Sequence, residues 1–371
     1  MKRYSVISLG LLLSLVLLPS CREKTRSGRP TVAVVESTLS GEISEESLIL
    51  KKLGEKDPMG TIAVIGPTRL AYPLSMRFAT CDDFDNVDAN RAPDQLPDFA
   101  GETIDMILDE ANSDHHFFVA SGNTDSLRTV TVRTLLAALD SKCFASAYES
   151  EAGVDKIVSK AIVFPSPYMS LYGAFDVDTL LRSTNVPVQT VFPLRKAFEK
   201  LLKEKGSHLC VAVVTDSVTA SDFIHRNLFE ELSAELGVEG AECKVFVRDT
   251  LGNVLDNMLN VYAEAGGNSP INAILVDDVN VFSYELRNSL ETLATRRNPA
   301  TASIRKLVSP DCKVIDTFEI STEECYRALR SANLFTHEVA YPLVNGYVTV
   351  ASPDGKAFKL VETRVNVSDK H

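Results

Sequence analysis

The stretch "CVAVVTDS", residues 210–217, decides the fold. Its apolar run, residues 211–214, leads directly into Thr215, Asp216 and Ser217, and a helical pattern follows at once. A continuous apolar run is typical of a strand that is buried on both faces of a parallel sheet. In an open α/β sheet, ligands bind outside the carboxyl ends of such strands. The sequence therefore predicts a functional site at the end of this strand.

Strands and helices alternate from this stretch through the second half of the chain. In the helical segments, apolar side chains recur at three-to-four spacing, and glycine ends several of them. Alternation with short connections predicts a parallel sheet with right-handed crossovers. The further predicted strands are 244–249, 271–278 and 312–320, and the predicted helices are 197–206, 219–237, 253–267, 281–296 and 322–335.

The first half of the chain repeats this alternation less regularly, and the tail breaks it. Residues 68–97 read as a long polar loop. Two strand-like arms around the turn sequence "SPDG" predict a β-hairpin over residues 347–365. The predicted strands of the first half are 31–37, 61–67, 115–123, 160–167 and 186–193, and its predicted helices are 99–112, 126–142 and 177–185.

Two α/β halves, joined near residues 191–196, resemble the type I periplasmic binding proteins. The succession "CVAVVTDS", "KVFVRDT" and "INAILVDDV" carries the resemblance, which covers residues 58–345. It implies an α/β fold with two Rossmann-like lobes and mainly parallel sheets, to which the C-terminal β-hairpin is added. It also implies a small polar solute enclosed between the lobes by closure about a hinge, for uptake or sensing. The implied domains are an N-terminal lobe (31–192), a C-terminal lobe (193–340) and a crossover with the hairpin tail (341–371).

Polar residues that follow the predicted strands are the candidate ligand-binding residues, because the carboxyl ends of strands line such a cleft. Hydroxyl and amide groups suit a polar or anionic ligand, whereas pairs of aspartates suit an amine or a sugar hydroxyl. Each residue alone is also typical of a turn or a helix cap, and only their recurrence at strand ends favours a site. The candidates are Arg69, Ser121, Asn123, Ser166, Tyr168, Asp216, Ser217, Asp277 and Asp278.

The N-terminus predicts export from the cytoplasm. A basic start precedes an apolar run, residues 6–18, which is too short for a normal membrane span. The following "LPSC", residues 18–21, resembles the lipobox of bacterial lipoproteins and implies a lipid on Cys21. An ordinary signal peptide is the alternative. We expect a signal peptide (1–20), a lipidated cysteine with a polar tether (21–30), and a place in the bacterial cell envelope, periplasmic or surface-facing.

The net charge and the composition limit the classes of binding partner that we expect for this protein. The net charge of −12 disfavours nucleic acid and anionic lipid surfaces as partners. The expected partners are a small polar solute, a membrane permease or receptor, and the membrane itself through the lipid anchor. The sequence contains no Walker A loop, no GxGxxG and no GxSxG nucleophile elbow. No cofactor, no metal and no catalytic activity are expected.

Two alternatives remain open. Three short segments resemble motifs of haloacid dehalogenase-like phosphatases, which are Mg²⁺-dependent enzymes. The resemblance implies that Asp176 is the nucleophile and Asp178 the general acid. It implies that Thr215 binds phosphate and that Asp277 and Asp278 bind the metal. The other alternative is an envelope scaffold without a small ligand.

Cysteines also allow a prediction about covalent structure. Cys210 and Cys243 each begin a strand-like run, and parallel neighbouring strands would bring both thiols to one sheet edge. Outside the cytoplasm this pair is the first candidate for a disulfide, with buried free thiols as the alternative.

Overall fold

The computed structural model describes residues 29–248, 253–295, 299–336, 338, 340–352 and 358–364. The predicted signal peptide and Cys21 lie outside these residues. None of the helices that the structure describes is both long and apolar enough to span a bilayer.

The first lobe is a mixed α/β unit that includes the end of the chain. Its elements up to residue 191 are α1 (Ala33–Leu39), α2 (Glu45–Lys51), β1 (Thr61–Gly66), α3 (Thr68–Thr80), β2 (Thr103–Leu108), α4 (His115–Ala120), α5 (Thr124–Leu139), β3 (Lys142–Cys143), β4 (Val154–Asp155), β5 (Ser159–Val163), α6 (Pro167–Tyr172), α7 (Ala174–Thr184) and β6 (Gln189–Val191).

The second lobe follows without a break, and the chain then returns to the first sheet. The remaining elements are α8 (Pro193–Lys205), β7 (Cys210–Thr215), α9 (Ser217–Ser221), α10 (Ile224–Leu236), β8 (Glu242–Val247), α11 (Val254–Glu264), β9 (Ile271–Asp277), α12 (Ser283–Thr295), α13 (Pro299–Arg305), β10 (Val308–Asp316), α14 (Thr317–Ala332), β11 (Leu343–Ala351) and β12 (Phe358–Thr363).

Two mainly parallel sheets form the cores of the lobes. In the described residues, the first sheet has the strand order β12-β11-β2-β1-β5-β6 and the second has the order β10-β9-β7-β8. β11 pairs with β2 in parallel, and β12 pairs with β11 antiparallel. The predicted α/β class with mainly parallel sheets is therefore confirmed, and the central strands are fully buried.

Several elements of the first lobe differ from the prediction. Residues 31–37 were expected as a strand but form most of helix α1, because Val34 and Val35 pack on helices rather than in a sheet. Residues 99–112 were expected as a helix but contain the central strand β2. A strand is tolerated there because the buried carboxylate of Asp105 accepts a hydrogen bond from Thr61 Oγ1 at 2.6 Å.

Two further segments of the first lobe contain helices that were not predicted. Residues 115–123, expected as a strand, begin with helix α4, which the side chain of Asp114 caps by accepting from Phe117 N at 3.1 Å. The expected polar loop 68–97 begins with helix α3, whose buried face includes Leu74 and Phe78. In α4, tertiary packing outweighs the preference of the local sequence for a β-strand. In α3, the apolar side chains that the prediction overlooked form one buried face of the helix.

The second lobe follows the prediction closely, with three local differences. Helix α13 was not predicted. The expected helix 219–237 is divided into α9 and α10 at Phe223, whose φ of 56° interrupts the helix. The expected strand 312–320 ends at Asp316, which caps α14 by accepting from Phe318 N at 2.8 Å.

The two lobes share apolar packing on two sides of the interface between them. On one side, α6 of the first lobe packs on α8 and α10, and Tyr168 and Leu171 belong to the same cluster as Phe198 and Leu228. On the other side, α14 packs on the first sheet, where the ring of Tyr326 stacks on Phe84 at 4.6 Å between centroids. An apolar interface of this kind limits the relative movement of domains.

The expected disulfide between Cys210 and Cys243 is not formed. β7 and β8 are parallel neighbours as predicted, but Cys243 lies opposite Val211 rather than opposite Cys210. This offset of one residue places the two thiols on opposite faces of the sheet, because successive side chains alternate between faces. Cys210 packs near the hydroxyl of Tyr262 at 3.8 Å, and each cysteine in the described residues has a free thiol.

Candidate functional site

The carboxyl ends of the two sheets face each other, and the first polar contact between them is an ion pair. Arg69, in the first turn of α3, lies 3.5 Å from Asp216 Oδ2, measured from its Nη1 atom. Asp216 follows β7 and caps α9 by accepting from Thr219 N at 3.0 Å. Burial alone would raise the pKa of Asp216, but the hydrogen bonds from Thr219 and the charge of Arg69 outweigh burial and lower it. The predicted residues Arg69 and Asp216 are thus brought together.

A second contact between the lobes centres on Asp222, at the end of α9. Asp222 Oδ2 accepts a hydrogen bond from the hydroxyl of Tyr168 at 2.6 Å, and His116 Nδ1 lies 2.7 Å from the same oxygen. We call this set of three residues the interlobe latch. Burial, and then the bond to Asp222, raises the pKa of Tyr168, and the bond to Asp222 raises the pKa of His116. Both shifts favour the protonated forms of the two side chains, which are the forms that can donate to Asp222.

Beside the latch, three buried side chains from separate segments of the first lobe converge. Ser166 follows β5 and is the residue before α6, His115 begins α4, and Asp109 follows β2. Ser166 Oγ lies 2.8 Å from His115 Nδ1, and His115 Nε2 lies 3.8 Å from Asp109 Oδ2. Their residues are 1%, 3% and 0% exposed, respectively. We call these three residues the Ser166 cluster.

The two oxygens of Asp109 have different surroundings. Oδ1 accepts from Thr349 Oγ1 at 2.7 Å and from Asn112 Nδ2 at 2.9 Å. Oδ2 faces His115, and neither Asp109 Oδ2 nor His115 Nε2 makes a hydrogen bond within the described residues. The ring of Tyr168 stands edge-on to the ring of His115, with centroids 6.1 Å apart, so the Ser166 cluster adjoins the interlobe latch.

The strand ends of the second lobe carry a different arrangement. Asp277 Oδ2 lies 2.6 Å from His225 Nε2, and its Oδ1 accepts from Thr317 Oγ1 at 3.0 Å. Asp278 accepts from Arg248 Nε at 2.8 Å. Both oxygens of the Asp277 carboxylate are therefore bonded inside the protein. The predicted residues Asp277 and Asp278 lie at a strand end, but their carboxylates already have partners.

Three of the predicted residues have no comparable contacts. Ser121 and Asn123 were chosen as residues after a strand, but they lie between α4 and α5. Ser121 Oγ donates to the carbonyl of Phe117 at 2.7 Å, and Asn123 Oδ1 accepts from Ser126 Oγ at 2.8 Å, which are helix-end contacts. Ser217 is exposed at the start of α9.

Sequence reasoning missed the residues that complete the site. Asp109, His115, His116 and Asp222 were not candidates, although Arg69, Ser166, Tyr168 and Asp216 beside them were. The adjacent histidines were the available signal. On a strand their side chains would point to opposite faces, whereas on α4 they point towards Ser166 and Asp222, respectively.

The structure does not assemble the residues of the phosphatase alternative. Asp176 lies in helix α7, is fully buried and accepts from Arg128 Nε at 2.7 Å and from Val32 N at 2.9 Å. It is therefore a structural residue of the first lobe and not a nucleophile at a strand end. Asp277 and Asp278 lie in the other lobe, engaged as described above. The phosphatase alternative is wrong for this physical reason.

The cysteines of the described residues take no part in these contacts. Burial raises the pKa of Cys243 and of Cys312 to about 12, and it also raises the pKa of Cys81, Cys143, Cys210 and Cys325. Such thiols are protonated at neutral pH, and the thiolate is the reactive form. No group of three or more metal-binding side chains was found in the part of the chain that the structure describes.

Comparison with known proteins gives a likeness at the level of architecture. No family model and no curated protein sequence matches the chain. A glutamate racemase isoform from Bacillus anthracis matches with 12% identity over 78% of this chain and 89% of that chain, at a TM-score of 0.43. A glutamate racemase from Francisella tularensis in complex with D-glutamate matches with 12% identity over 81% and 91%, at a TM-score of 0.42. A periplasmic sugar-binding protein from Legionella pneumophila matches with 12% identity over 77% and 98%, at a TM-score of 0.24.

These comparisons correct one expectation. The sequence led us to expect a protein without catalytic activity, but two of the most similar solved structures are enzymes, so that expectation is contradicted. The predicted likeness to periplasmic binding proteins is found as well, at a lower TM-score. At these identities and TM-scores no reaction and no ligand transfers to this chain, and its function has to be argued from its own residues.

Proposed function

We propose that the protein binds a small polar ligand in the cleft between its two lobes. One observation carries the proposal: three polar side chains of the first lobe meet two aspartates of the second lobe where the strand ends face each other. The first-lobe side chains are Arg69, His116 and Tyr168, and the aspartates are Asp216 and Asp222. Strand ends at such a crevice are the usual ligand sites of open α/β sheets.

The residues on the two sides of the cleft define the chemistry of the ligand. Arg69 is the most available group, because its side chain is 54% exposed and its contact with Asp216 is 3.5 Å long. A ligand carboxylate or phosphate can replace Asp216 as its partner. Asp216 keeps its hydrogen bonds from Thr219 when Arg69 moves to the ligand. Asp222 loses both donors when the latch opens and then requires new ones, such as an amine or hydroxyls, since an unpaired buried carboxylate is costly. We therefore favour a small molecule with both an anionic group and an amine or hydroxyl group.

Ligand entry requires local rearrangement more than a wide movement of the lobes. The apolar clusters on two sides of the interface hold α6 against α10 and α14 against the first sheet. The interlobe latch, by contrast, consists of polar contacts, and the side chain of His116 is 40% exposed. Opening the latch while the apolar clusters stay packed is the movement that this arrangement favours, instead of the hinge closure expected from the sequence.

We also propose that a lipid on Cys21 anchors the protein to a bacterial membrane, where it presents its ligand to a permease or receptor. The support is the N-terminal sequence pattern, which ends in "LPSC". Mass spectrometry of the N-terminal peptide, with Cys21→Ala as the comparison, tests the anchor. An unmodified cysteine in the membrane fraction contradicts it.

A thermal-shift screen of the purified protein tests the binding proposal. The panel contains amino acids, hydroxy acids, sugars and sugar phosphates. A ligand at about a hundred times its dissociation constant stabilises the protein by about 2.7 kcal/mol. We expect a hit that Arg69→Ala and Asp222→Ala abolish. The matched control is Arg226→Ala, because Arg226 is equally exposed and pairs with Glu230 on α10, at 3.6 Å.

Two outcomes contradict the binding proposal. One is a ligand whose shift survives both Arg69→Ala and Asp222→Ala, which places its site elsewhere. The other is the absence of any shift across the panel together with capture of a protein partner, which supports the envelope scaffold.

A further inference from the structure

We propose that Ser166, His115 and Asp109 form a nucleophilic catalytic group that hydrolyses a carboxylic ester held in the cleft. The proposal rests on the proposed function only for recognition of the rest of the substrate. The reactive group itself is argued from the contacts of the Ser166 cluster.

The distances in the Ser166 cluster fit either tautomer of His115, and the proposal uses the one in which Nδ1 accepts. Ser166 Oγ, 2.8 Å from His115 Nδ1, donates its proton to that nitrogen in a neutral imidazole. The other nitrogen, Nε2, then carries the ring proton and points to Asp109 Oδ2, 3.8 Å away. This is the order of a serine nucleophile, a histidine base and an aspartate that orients the base. In serine proteases Nε2 faces the serine and Nδ1 faces the aspartate, whereas here Nδ1 faces Ser166 and Nε2 faces Asp109. Either ring nitrogen can act as the base.

The position of Ser166 in the fold suits a nucleophile. It lies in the short connection between strand β5 and helix α6, at the carboxyl end of the first sheet. Nucleophilic serines of α/β hydrolases also lie between a strand and a helix, although in a strained turn. Ser166 instead has an extended backbone, with a φ of −68° and a ψ of 125°. The surrounding sequence, "VFPSPYM", has Phe164 and Tyr168 where the GxSxG pattern has glycines, so a search for that pattern cannot find the residue.

A purely structural role explains the cluster poorly. Buried polar groups in proteins normally have all their hydrogen bonds, and each exception calls for an explanation. Asp109 Oδ2 and His115 Nε2 are both buried and both lack a hydrogen bond within the described residues. The carboxylate of Asp277 in the second lobe, in contrast, has both oxygens bonded. Protonation of His115 during a reaction accounts for this difference between Asp109 and Asp277. A charged imidazolium would draw His115 Nε2 towards Asp109 Oδ2, and the missing hydrogen bond would then form.

The proposed reaction has two balanced steps. Ser166 Oγ attacks the ester carbonyl while His115 Nδ1 takes its proton, and that proton then goes to the leaving alcohol as the carbon–oxygen bond breaks. A water molecule attacks the resulting acyl-serine, His115 takes one water proton, and this proton returns to Ser166 Oγ. One ester and one water give one carboxylic acid and one alcohol. Asp109 orients His115 and stabilises its charged form in both steps.

Access to Ser166 depends on the interlobe latch. Ser166 is only 1% exposed in the closed arrangement, and the ring of Tyr168, held by Asp222, stands beside the ring of His115. A substrate therefore has to displace the latch before it reaches Ser166. Asp222→Asn weakens the latch and leaves the three residues of the cluster unchanged, so this variant is expected to react faster with a small probe.

Covalent labelling tests the proposal on the full-length protein. A fluorophosphonate probe reacts with an activated serine, forming an oxygen–phosphorus bond with loss of fluoride and a proton. We expect one label, on the peptide that contains Ser166, and hydrolysis of p-nitrophenyl acetate by the unlabelled protein. Ser166→Ala and His115→Gln are expected to lower both rates by about 100-fold or more, the range for loss of a nucleophile or a general base.

Controls separate catalysis from folding. Ser170→Ala is the matched control, because Ser170 is a fully buried serine on the same helix and should leave both rates unchanged. Asp109 acts through His115 and is a positioning residue, so Asp109→Asn should change the pH at which labelling reaches half its maximum. Circular dichroism and urea unfolding show whether each variant is folded. If Ser166→Ala fails to fold, peptide mapping of the labelled wild-type protein still identifies the reactive serine.

The outcomes distinguish this proposal from the binding proposal. Ser166→Ala should keep the ligand shift and lose the labelling. A wild-type protein that is labelled at Ser166 but shifts with no ligand of the panel contradicts only the binding proposal. The absence of labelling in both the wild-type protein and Asp222→Asn overturns the catalytic proposal, as does a label on another serine or a rate that His115→Gln leaves unchanged.

Discussion

Each lobe places a histidine and an aspartate at the carboxyl end of its sheet, and the two pairs differ in how completely they are bonded. In the second lobe, His225 and Asp277 are 2.6 Å apart, whereas in the first lobe His115 and Asp109 are 3.8 Å apart. The tight pair fastens α10 to β9. The loose pair holds a serine on its far side. The two pairs contain the same residue types, so the hydrogen bonds of the aspartate distinguish them. The pair whose aspartate is fully hydrogen-bonded stabilises the fold, and the other pair is available for chemistry.

The neighbours of each histidine reinforce this difference. His225 Nδ1 has no hydrogen-bonding partner in the described part of the chain, so no nucleophile stands beside it. His115 Nδ1 has Ser166 Oγ at 2.8 Å. The same two residue types therefore form a structural brace in one lobe and a candidate reactive group in the other.

The largest expected effect on stability is the loss of the tight pair. His225→Ala removes the partner of a nearly buried carboxylate, which should lower the free energy of unfolding by about 2–4 kcal/mol. His115→Ala should lower it less, since it removes a hydrogen bond to the neutral hydroxyl of Ser166 and no hydrogen bond to a carboxylate. Urea unfolding of both variants measures the difference. Equal losses would remove the distinction between the two pairs.

The next effect concerns the contact between the lobes. Tyr168→Phe deletes the hydroxyl that donates to Asp222 at 2.6 Å and keeps the packed ring. We expect a loss of about 1.5–3 kcal/mol of unfolding free energy, as for a hydrogen bond to a charged group. The matched control is Tyr262→Phe, whose hydroxyl donates to the carbonyl of Ser269 at 2.8 Å, within the second lobe. Only Tyr168→Phe should also speed labelling of Ser166, and faster labelling in both variants would contradict the role of the latch.

A smaller effect depends on pH. The hydrogen bond to Asp222 raises the pKa of His116 above its ordinary value of 6.5. The interaction that raises this pKa in the folded state contributes its full stabilisation at pH values below the pKa of the unfolded chain. The contribution is lost as the pH rises through the pKa of the folded state. Unfolding free energies of the wild-type protein and His116→Gln should therefore converge above that pH. NMR titration of the ring gives the pKa directly, and an unshifted value in the wild-type protein would rule the contribution out.

The smallest effect on stability is expected at Arg69. Its ion pair with Asp216 is 3.5 Å long and half exposed, and such surface pairs contribute about 0–1 kcal/mol. Arg69→Ala should therefore leave the urea midpoint almost unchanged while it removes the ligand-dependent shift. A large loss of stability would instead identify Arg69 as a structural residue.

The second lobe was predictable because its strands are uniformly apolar and its helices have regular spacing. "CVAVVT" became β7 as expected, and Asp216 became the cap that its position after the strand indicated. In the first lobe, the local signal was misleading. "TIDMIL" contains Asp105 in the centre of a sheet, where Thr61 and Asn345, distant in the chain, bond to its carboxylate and Lys156 lies 4.0 Å away.

Only part of the candidate site could be predicted, because some of its residues depend on structure that the local sequence does not indicate. Residues directly after strands, such as Arg69 and Ser166, follow from the rule on strand ends. His115 and His116 depend on α4 being a helix, and Asp222 depends on the break between α9 and α10 at Phe223. Neither the helix nor the break is encoded in the periodicity of the local sequence. Packing of the two lobes against each other determines both.

The return of the chain into the first sheet has a consequence for how the protein is made. Strand β2 is covered on one side by β11, which begins at Leu343, after the whole second lobe. During synthesis, the second lobe is complete while β2 still presents an open edge. Unpaired strand edges promote association with other chains, and sheet pairings distant in sequence form slowly. A chain that stops before Leu343 should therefore aggregate through its first lobe although its second lobe can fold, and chaperones that bind during translation should recognise the exposed edge of β2.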